Sequence, residues 1–552
     1  MARREGRMFI KGVRAHGWLA PWVAVFAVFV GRFWFLCDDA YISFRFSRNW
    51  ARGLGVVFNP GEFPPVEGYS NFLWVAAGAL VELVGAPIEW VMPLLSAACG
   101  VALLVRIGQV AVDQRLSGPG RHVAVALFAL SPSAAVWSTS GLETMPFAWL
   151  FFELVVGAAL TRLETSAWFV TALAVTMALL RIEGIAWVGV IALAGAAVRG
   201  VDSSAVRRFA VPVAGAVAIY ALYTAWRVHF FGTWVPNTAL VKVSFDVPIA
   251  TRGLKYLAVF ALTAVAPVVA WGMGSALWRD RRWVATFGLV TAVFTYAVVV
   301  GGDFMPFGRL LVPALPLTGL LLGASVPTPD RLVIAGPLLA VSALPLVGVH
   351  PVPGDWLRPL HFRHSDRSFM TELSRWENQR DNCVGFARRG RALAQVADPG
   401  DAVVAGAVGA IGYASDLEVF DQHGLVTKEV AYRTVAPGSR AASPGHDKHV
   451  DPSFFVKYAP RFLFARTVSG PLAAGKMKDT LSEWAVPARV QDRYVPDFWE
   501  VTEPDEARTF LVVVRHRTRD EDPKRLWNSF AERRRALNAE LRNDPRITKD
   551  EP

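Results

Sequence analysis

Between positions 17 and 349 the chain returns repeatedly to apolar runs of about 17–25 residues, the length a helix needs to cross a bilayer. Backbone N–H and C=O groups cannot stay unpaired in lipid, so such runs fold as helices and many of them make a polytopic bundle. About eleven windows qualify: 17–37, 87–105, 122–139, 144–161, 166–180, 183–198, 209–228, 254–278, 283–301, 309–326 and 331–349. Composition agrees, since 53% of the 552 residues are hydrophobic, 19% are charged and mean hydropathy is +0.34, too apolar for an average soluble domain. The basic N-terminus leads into an apolar stretch with no small-residue cleavage site, so the first span is expected to stay attached.

The run "NFLWVAAGALVELVG" at 71–85 is only about fifteen residues long. Reading it as a juxtamembrane helix gathers the basic loops on one side of the membrane, as the positive-inside rule requires. That side holds Arg3, Arg4, Arg7, Lys11 and Arg14, then Arg106, Arg115, Arg121, Arg162, Arg199, Arg207, Arg208, Arg279, Arg281, Arg282 and Arg331. It is expected to be cytoplasmic, with the N-terminus inside and the chain in the plasma (inner) membrane. Short Arg clusters beside spans account for the net charge of +11 through topology and anionic lipid; no nucleic-acid surface is implied. Cys37, Cys99 and Cys383 form no CxxC motif and no disulfide framework.

The opposite side collects "CDDAYISFR", "VEGYSNFLW", "STSGLETM", "LLRIEG", "HFFGTWVPNTALVK" and "GGDFMPFGR". Asp38 and Asp39 lie at a membrane lip, where an ionised carboxylate needs a partner or a task. The following stretch repeats Arg45, Arg48 and Arg52 along one stripe among Tyr41, Ile42, Phe44, Phe46 and Trp50. It is expected to lie flat on the membrane, its guanidinium groups holding a lipid phosphate, or simply snorkelling. Glu62, Glu67, Tyr69, Asn71 and Trp74 add acids, an amide and ring faces. Glu143, Arg181, Glu183, His229, Asn237, Lys242, Asp303 and Arg309 sit at expected span boundaries. Each alone is more often a helix anchor; together they frame a cavity for an anionic, hydroxyl-rich ligand.

Such a site suits transfer of a sugar from a lipid phosphate: a carboxylate takes the acceptor hydroxyl proton and cations stabilise the departing phosphate. A second role for Asp38 and Asp39 stays open, as ligands of a divalent cation, Mg or Mn, bridging that phosphate.

Past about residue 350, charge, Pro and Gly rise and short β-rich pieces such as "DAVVAGAV" and "TFLVVVRHR" appear. The expected division is a membrane catalytic domain over 1–349, an extracytoplasmic α/β domain over 350–517 and a charged tail over 518–552 with a helix near 523–542, solvated or lying on lipid. In the α/β part, Asp421 and His423, with His446, Asp447 and His449, are read as acceptor-binding loops in preference to a metal site.

These motifs, "DDAYISFRFSRNWARGLGVVFNPGE", "VEGYSNFLW", "SGLET", "LLRIEG", "FFGTWVPNTALVK", "GGDFMPFGRLLVPALPL" and "VGAIGYASDLEVFDQHGL", span nearly the whole chain. In combination they resemble the GT-C membrane glycosyltransferases, most closely the terminal β-(1→2)-arabinofuranosyltransferase type. The resemblance implies a polytopic α-helical membrane fold with juxtamembrane helices in the first outer loop, a polyprenyl-phosphate sugar donor, a cell-envelope glycan acceptor, and an α/β domain over the site. It also implies that Asp38, the first of the acidic pair, is the catalytic carboxylate. The rival class is a transporter or flippase of lipid-linked sugars, for which interrupted helices with polar groups at mid-bilayer are the expected signature.

Overall fold

The computed structural model describes residues 17–161, 166–200, 203–242, 247–274, 277, 279–360, 371–434, 444–470, 472–503 and 508–544, the side chains of 203–208 and 242 excepted. Among these, Ile88–Asp113, Phe209–Phe231, Arg281–Val299 and Pro329–Val347 are long and apolar enough to cross a membrane. Val247–Thr263 and Val265–Gly274 form a further span if taken as one bent unit. Shorter apolar helices, Gly17–Arg32, Phe72–Leu83, Thr144–Leu160, Ala167–Leu180, Gly184–Arg199 and Arg309–Ala324, complete the bundle.

Three expected spans are broken, each for a backbone reason. The 17–37 run is helical only to Arg32, and Cys37 in extended geometry opens the next helix, Asp38–Ala51. The 122–139 run is two helices, Gly118–Ala129 and Pro132–Trp137. Pro132 has no N–H to continue the ladder, and Ser131 Oγ takes the freed Ala134 N–H at 3.4 Å. The 254–278 run bends by 102°, because Pro267 cannot bond back across the break. There the buried N–H of Ala266, left without a helical acceptor, donates to Ser342 Oγ at 2.7 Å. The Phe72–Leu83 helix has 12 residues, about 18 Å at 1.5 Å per residue, too short to cross a membrane by itself.

The C-terminal part is built on a five-stranded sheet in the order β2-β1-β3-β5-β4, with β1 Ala402–Ala405, β2 Glu418–Asp421, β3 Phe462–Ser469, β4 Tyr494–Val501 and β5 Thr509–His516. The strands β1, β2 and β3 run parallel, and β5 pairs antiparallel with β3 and β4. β5 is buried along almost its whole length, as a Val-rich strand covered on both faces should be.

Two helices tie this sheet to its surroundings. Glu372–Val396 begins inside the apolar bundle, where Trp376 packs against Phe33 at 4.7 Å and Phe35 at 6.2 Å, and ends against the sheet through Ala392 and Leu393. Burying a ring of that size is worth roughly 1.5–3 kcal/mol, so the domain is rooted and not tethered. The Pro523–Arg542 helix is not the expected solvated or lipid-lying tail: Phe530, Leu537 and Leu541 are buried with Phe510 and Val512 of β5. Arg508 pins its end through Glu540 at 2.9 Å and Asp544 at 3.0 Å.

Candidate functional site

Asp38 and Asp39 open the Asp38–Ala51 helix, where the helix dipole favours negative charge, but they serve different surroundings. Asp38 Oδ1 accepts from Ala410 N at 2.8 Å and Oδ2 from Gly409 N at 3.1 Å. Burial pushes its pKa up to about 6 against those two N–H bonds. The fit requires glycine, since a Cβ on Gly409 would lie 1.9 Å from the Asp38 carbonyl oxygen. Asp39, half-buried, acts electrostatically on Cys37 and on Arg309 of the bundle. Both Asp38 oxygens thus hold the α/β domain through backbone N–H groups.

The arginine stripe of the same helix is bound by protein. Arg45 is 0% exposed, and its guanidinium donates to the carbonyls of Phe58 at 2.7 Å, Gly412 at 2.5 Å and Leu417 at 2.6 Å. Arg48 and Arg52 both reach Asp416, at 3.0 and 2.7 Å, and Arg48 lies over the Tyr413 ring. Ile42 and Phe46 of the same helix join the core formed by Val403, Val419 and Leu511 of the sheet. The surface expected to meet acyl chains and lipid phosphate instead meets protein, because the α/β domain covers it.

Deeper in the bundle the expected residues do come together. Arg181 bridges Glu143 at 2.7 Å and Glu183 at 2.6 Å, and Asn71 Nδ2 donates to the second Glu143 oxygen at 2.7 Å while its amide also meets Ser43. Arg309 pairs with Asp303 at 2.7 Å through Nε. Arg181, Glu183 and Arg309 line one cavity with Thr144, Trp187 and Tyr296. Among the described residues, Nη2 of Arg181 and both Nη groups of Arg309 donate to no protein acceptor. Guanidinium groups oriented by carboxylates, with N–H donors to spare, are placed to receive an anion.

The remaining candidates divide. Glu67 accepts from Tyr223 Oη at 3.0 Å and shares a second cavity with Arg181, whereas Tyr69 is packed between Phe46 and Phe231 as core. Asn237 joins the first loop to the α/β domain, its N–H donating to Glu67 O at 3.0 Å and its Nδ2 to Gly424 O at 3.3 Å. His229 is exposed and lines neither cavity; the Lys242 side chain lies outside the described residues.

Asp421 is a buried turn-former, accepting from His423 N at 2.7 Å and Val426 N at 3.0 Å, its pKa pushed up to about 6 by burial. His423 contacts His446 and His449, with ring centroids 4.6 and 5.0 Å apart. The His446 loop rests on the bundle through Phe304 and through Asp447, 3.1 Å from Arg252. Among the described residues no three His, Cys, Asp or Glu side chains are placed to hold a metal ion.

Arg227 and Arg252 were not singled out from sequence, although both are buried and paired. The available signal was a guanidinium within or beside an apolar run, which is rare enough to ask for a partner.

The fold is similar to solved structures. A crystal structure of ArnT from Cupriavidus metallidurans bound to undecaprenyl phosphate superposes with a TM-score of 0.51 at 14% identity, covering 90% of this chain and 98% of that one. Its apo state gives 0.49 at 15% identity, covering 91% and 98%. A family model described only as a domain of unknown function, DUF8728, matches residues 372–519. No curated protein matches by sequence. The chain thus shares the fold of that ArnT structure, a helical bundle carrying a small C-terminal sheet domain.

Proposed function

We propose that the chain transfers a single sugar from a polyprenyl-phosphate donor to an extracytoplasmic cell-envelope glycan. The observation that carries the reading is the cavity in which Arg181 and Arg309 present spare donors, with Asp39 within electrostatic reach of Arg309. The ArnT-like fold supports it, since the ArnT crystal structure holds undecaprenyl phosphate.

In this mechanism Asp39 takes the proton of the acceptor hydroxyl, the acceptor oxygen bonds to the anomeric carbon, and the bond from that carbon to the phosphate oxygen breaks. The negative charge developing on the polyprenyl phosphate is met by the Arg309 and Arg181 N–H groups. Single displacement of this kind inverts the anomeric centre. Asp38 positions the α/β domain and does not touch the reacting atoms. The motif resemblance favours arabinofuranose as the sugar and the plasma membrane as the location, with the N-terminus cytoplasmic and the α/β domain outside.

The test is transfer by purified protein from a panel of synthetic polyprenyl-phosphate sugars, with and without EDTA. Incorporation of a sugar from one donor, abolished by Asp39→Asn, supports the reading. No transfer from any donor, or full activity in Asp39→Asn, refutes it, and loss of activity with EDTA would return a divalent cation to the mechanism.

A further inference from the structure

Arg309 opens a 3-10 helix, Arg309–Ala314, and side chains from elsewhere in the fold hold the backbone around it. Met305 N donates to Asp303 Oδ1 at 3.4 Å, Trp137 Nε1 to Pro306 O at 3.1 Å, and Leu310 N to Tyr256 Oη at 3.1 Å. Those three side chains belong to the bundle. Two further holders come from the helix that roots the α/β domain: Phe307 N donates to Glu372 Oε2, and Arg375 Nη2 donates to Phe304 O. Glu372 and Arg375 begin the Glu372–Val396 helix, and Arg375 Nη1 donates to Glu372 Oε1 at 2.6 Å. Glu372 does not cap its own helix, a task done by Thr371 Oγ1, which accepts from Ser374 N at 3.2 Å. Both oxygens of this buried carboxylate are committed to the Phe307 N–H and to Arg375.

The Glu372 contact falls where the chain reverses. Phe307 and Gly308 both adopt left-handed backbone, with φ of 54° and 63°, and the next residue is Arg309. Glycine takes that geometry freely, whereas phenylalanine keeps it only where the surroundings enforce it. The Phe307 ring packs on Phe33 at 6.4 Å, and the Glu372 carboxylate fixes its N–H. The direction in which Arg309 leaves the turn follows from these two residues. We infer that Glu372, braced by Arg375, is a positioning residue that holds the Phe307–Gly308 turn and through it aims Arg309. Glu372 touches no reacting group. The hold on the turn is read from the geometry alone; its effect on transfer rests on the proposed function, in which Arg309 meets the charge on the departing phosphate.

The experiment compares full-length protein in nanodiscs as wild type, Glu372→Gln, Arg309→Lys and the double variant. Glu372→Gln keeps the size of the side chain but replaces one acceptor oxygen by NH2, so either Phe307 N–H or Arg375 loses its partner. Amides over 303–312 should exchange about tenfold faster, with 409–417 unchanged. In transfer assays kcat should fall about tenfold or more with the acceptor KM unchanged. Added to Arg309→Lys, the same substitution should lower kcat by no more than about twofold further, because a residue that acts through Arg309 has lost its target. A glutamate that only stabilised the fold would slow both backgrounds alike. Unchanged exchange over 303–312, equal losses in the two backgrounds, or a shift in acceptor KM alone overturns the inference. Thermal melting checks folding; should Glu372→Gln not fold, Arg375→Lys, which keeps the charge and loses the fork between Glu372 and Phe304 O, runs the same cycle. If the wild type turns over no donor, the proposed function falls and the exchange result decides the inference by itself. Turnover with equal losses sinks the positioning role and leaves the proposed function standing.

Discussion

Asp38 and Ala410, 372 positions apart in the chain, are joined by a 2.8 Å hydrogen bond from the Ala410 backbone N–H to the Asp38 carboxylate. With the matching bond from Gly409 it makes the acidic lip of the bundle part of the seat of the α/β domain. The two adjacent aspartates are therefore not equivalent: Asp38 holds that domain, while Asp39 acts electrostatically on Arg309.

The division predicts different phenotypes for two neighbouring substitutions. Asp39→Asn should lower turnover about a hundredfold or more, the scale of a lost general base. Asp38→Asn turns an NH2 toward one of the two backbone donors and should cost about 1–3 kcal/mol of stability, with a smaller loss of turnover. Parallel kinetics and melting curves decide it; the reverse pattern would make Asp38 the reacting carboxylate.

Gly409→Ala is predicted to unseat the domain without altering any polar group. The added methyl would stand 1.9 Å from the Asp38 carbonyl oxygen and 2.8 Å from its carbon, and backbone cannot yield as a flexible side chain can. Faster hydrogen exchange over 38–51 and 409–417 is the expected readout. Unchanged exchange would mean that the contact is dispensable.

How far this arrangement could be read in advance depended on what kind of partner each residue had. The apolar helices and the Val-rich strands were legible because burial in lipid or in a sheet leaves a periodic signal in neighbouring residues. The breaks at Pro132 and Pro267 were missed because a hydropathy window does not register an absent N–H. Arg45, Arg48 and Arg52 were visible as a stripe, but a helical pattern cannot tell a lipid surface from a protein one. The carbonyls that claim Arg45 belong to Gly412 and Leu417, 367 and 372 positions away. Glu67 was seen and Arg227 was not, since the second lies inside a run whose apolar average conceals a single charge.

Arg45 is predicted to be a stability residue. Replacement by Met takes the guanidinium from three buried carbonyls, of which Phe58 O keeps Asn49 Nδ2 and Gly412 O keeps the Asp416 N–H, and should cost about 1–3 kcal/mol. Lysine should rescue little, because an ammonium on a flexible stem cannot present the planar fork that reaches Phe58, Gly412 and Leu417 together. Melting temperatures of Arg45→Met and Arg45→Lys test this. If both variants melt with the wild type, the clamp contributes nothing.

Glu67 gives the fold a specific pH dependence. Burial raises its pKa from 4.5 to about 7, with Arg227 and the Tyr223 hydroxyl opposing the shift. An acid whose pKa is higher folded than unfolded keeps its proton longer in the folded state. Its contribution therefore becomes less favourable as pH rises from about 4.5 to about 7, and the full penalty is present above that window. In the limit the penalty is about 3 kcal/mol. Glu67→Gln has no such titration, so its melting temperature relative to wild type should climb between about pH 5 and pH 8. A gap that stays constant over that range would mean that Glu67 titrates as an ordinary carboxylate and that its surroundings are wetter than its burial implies.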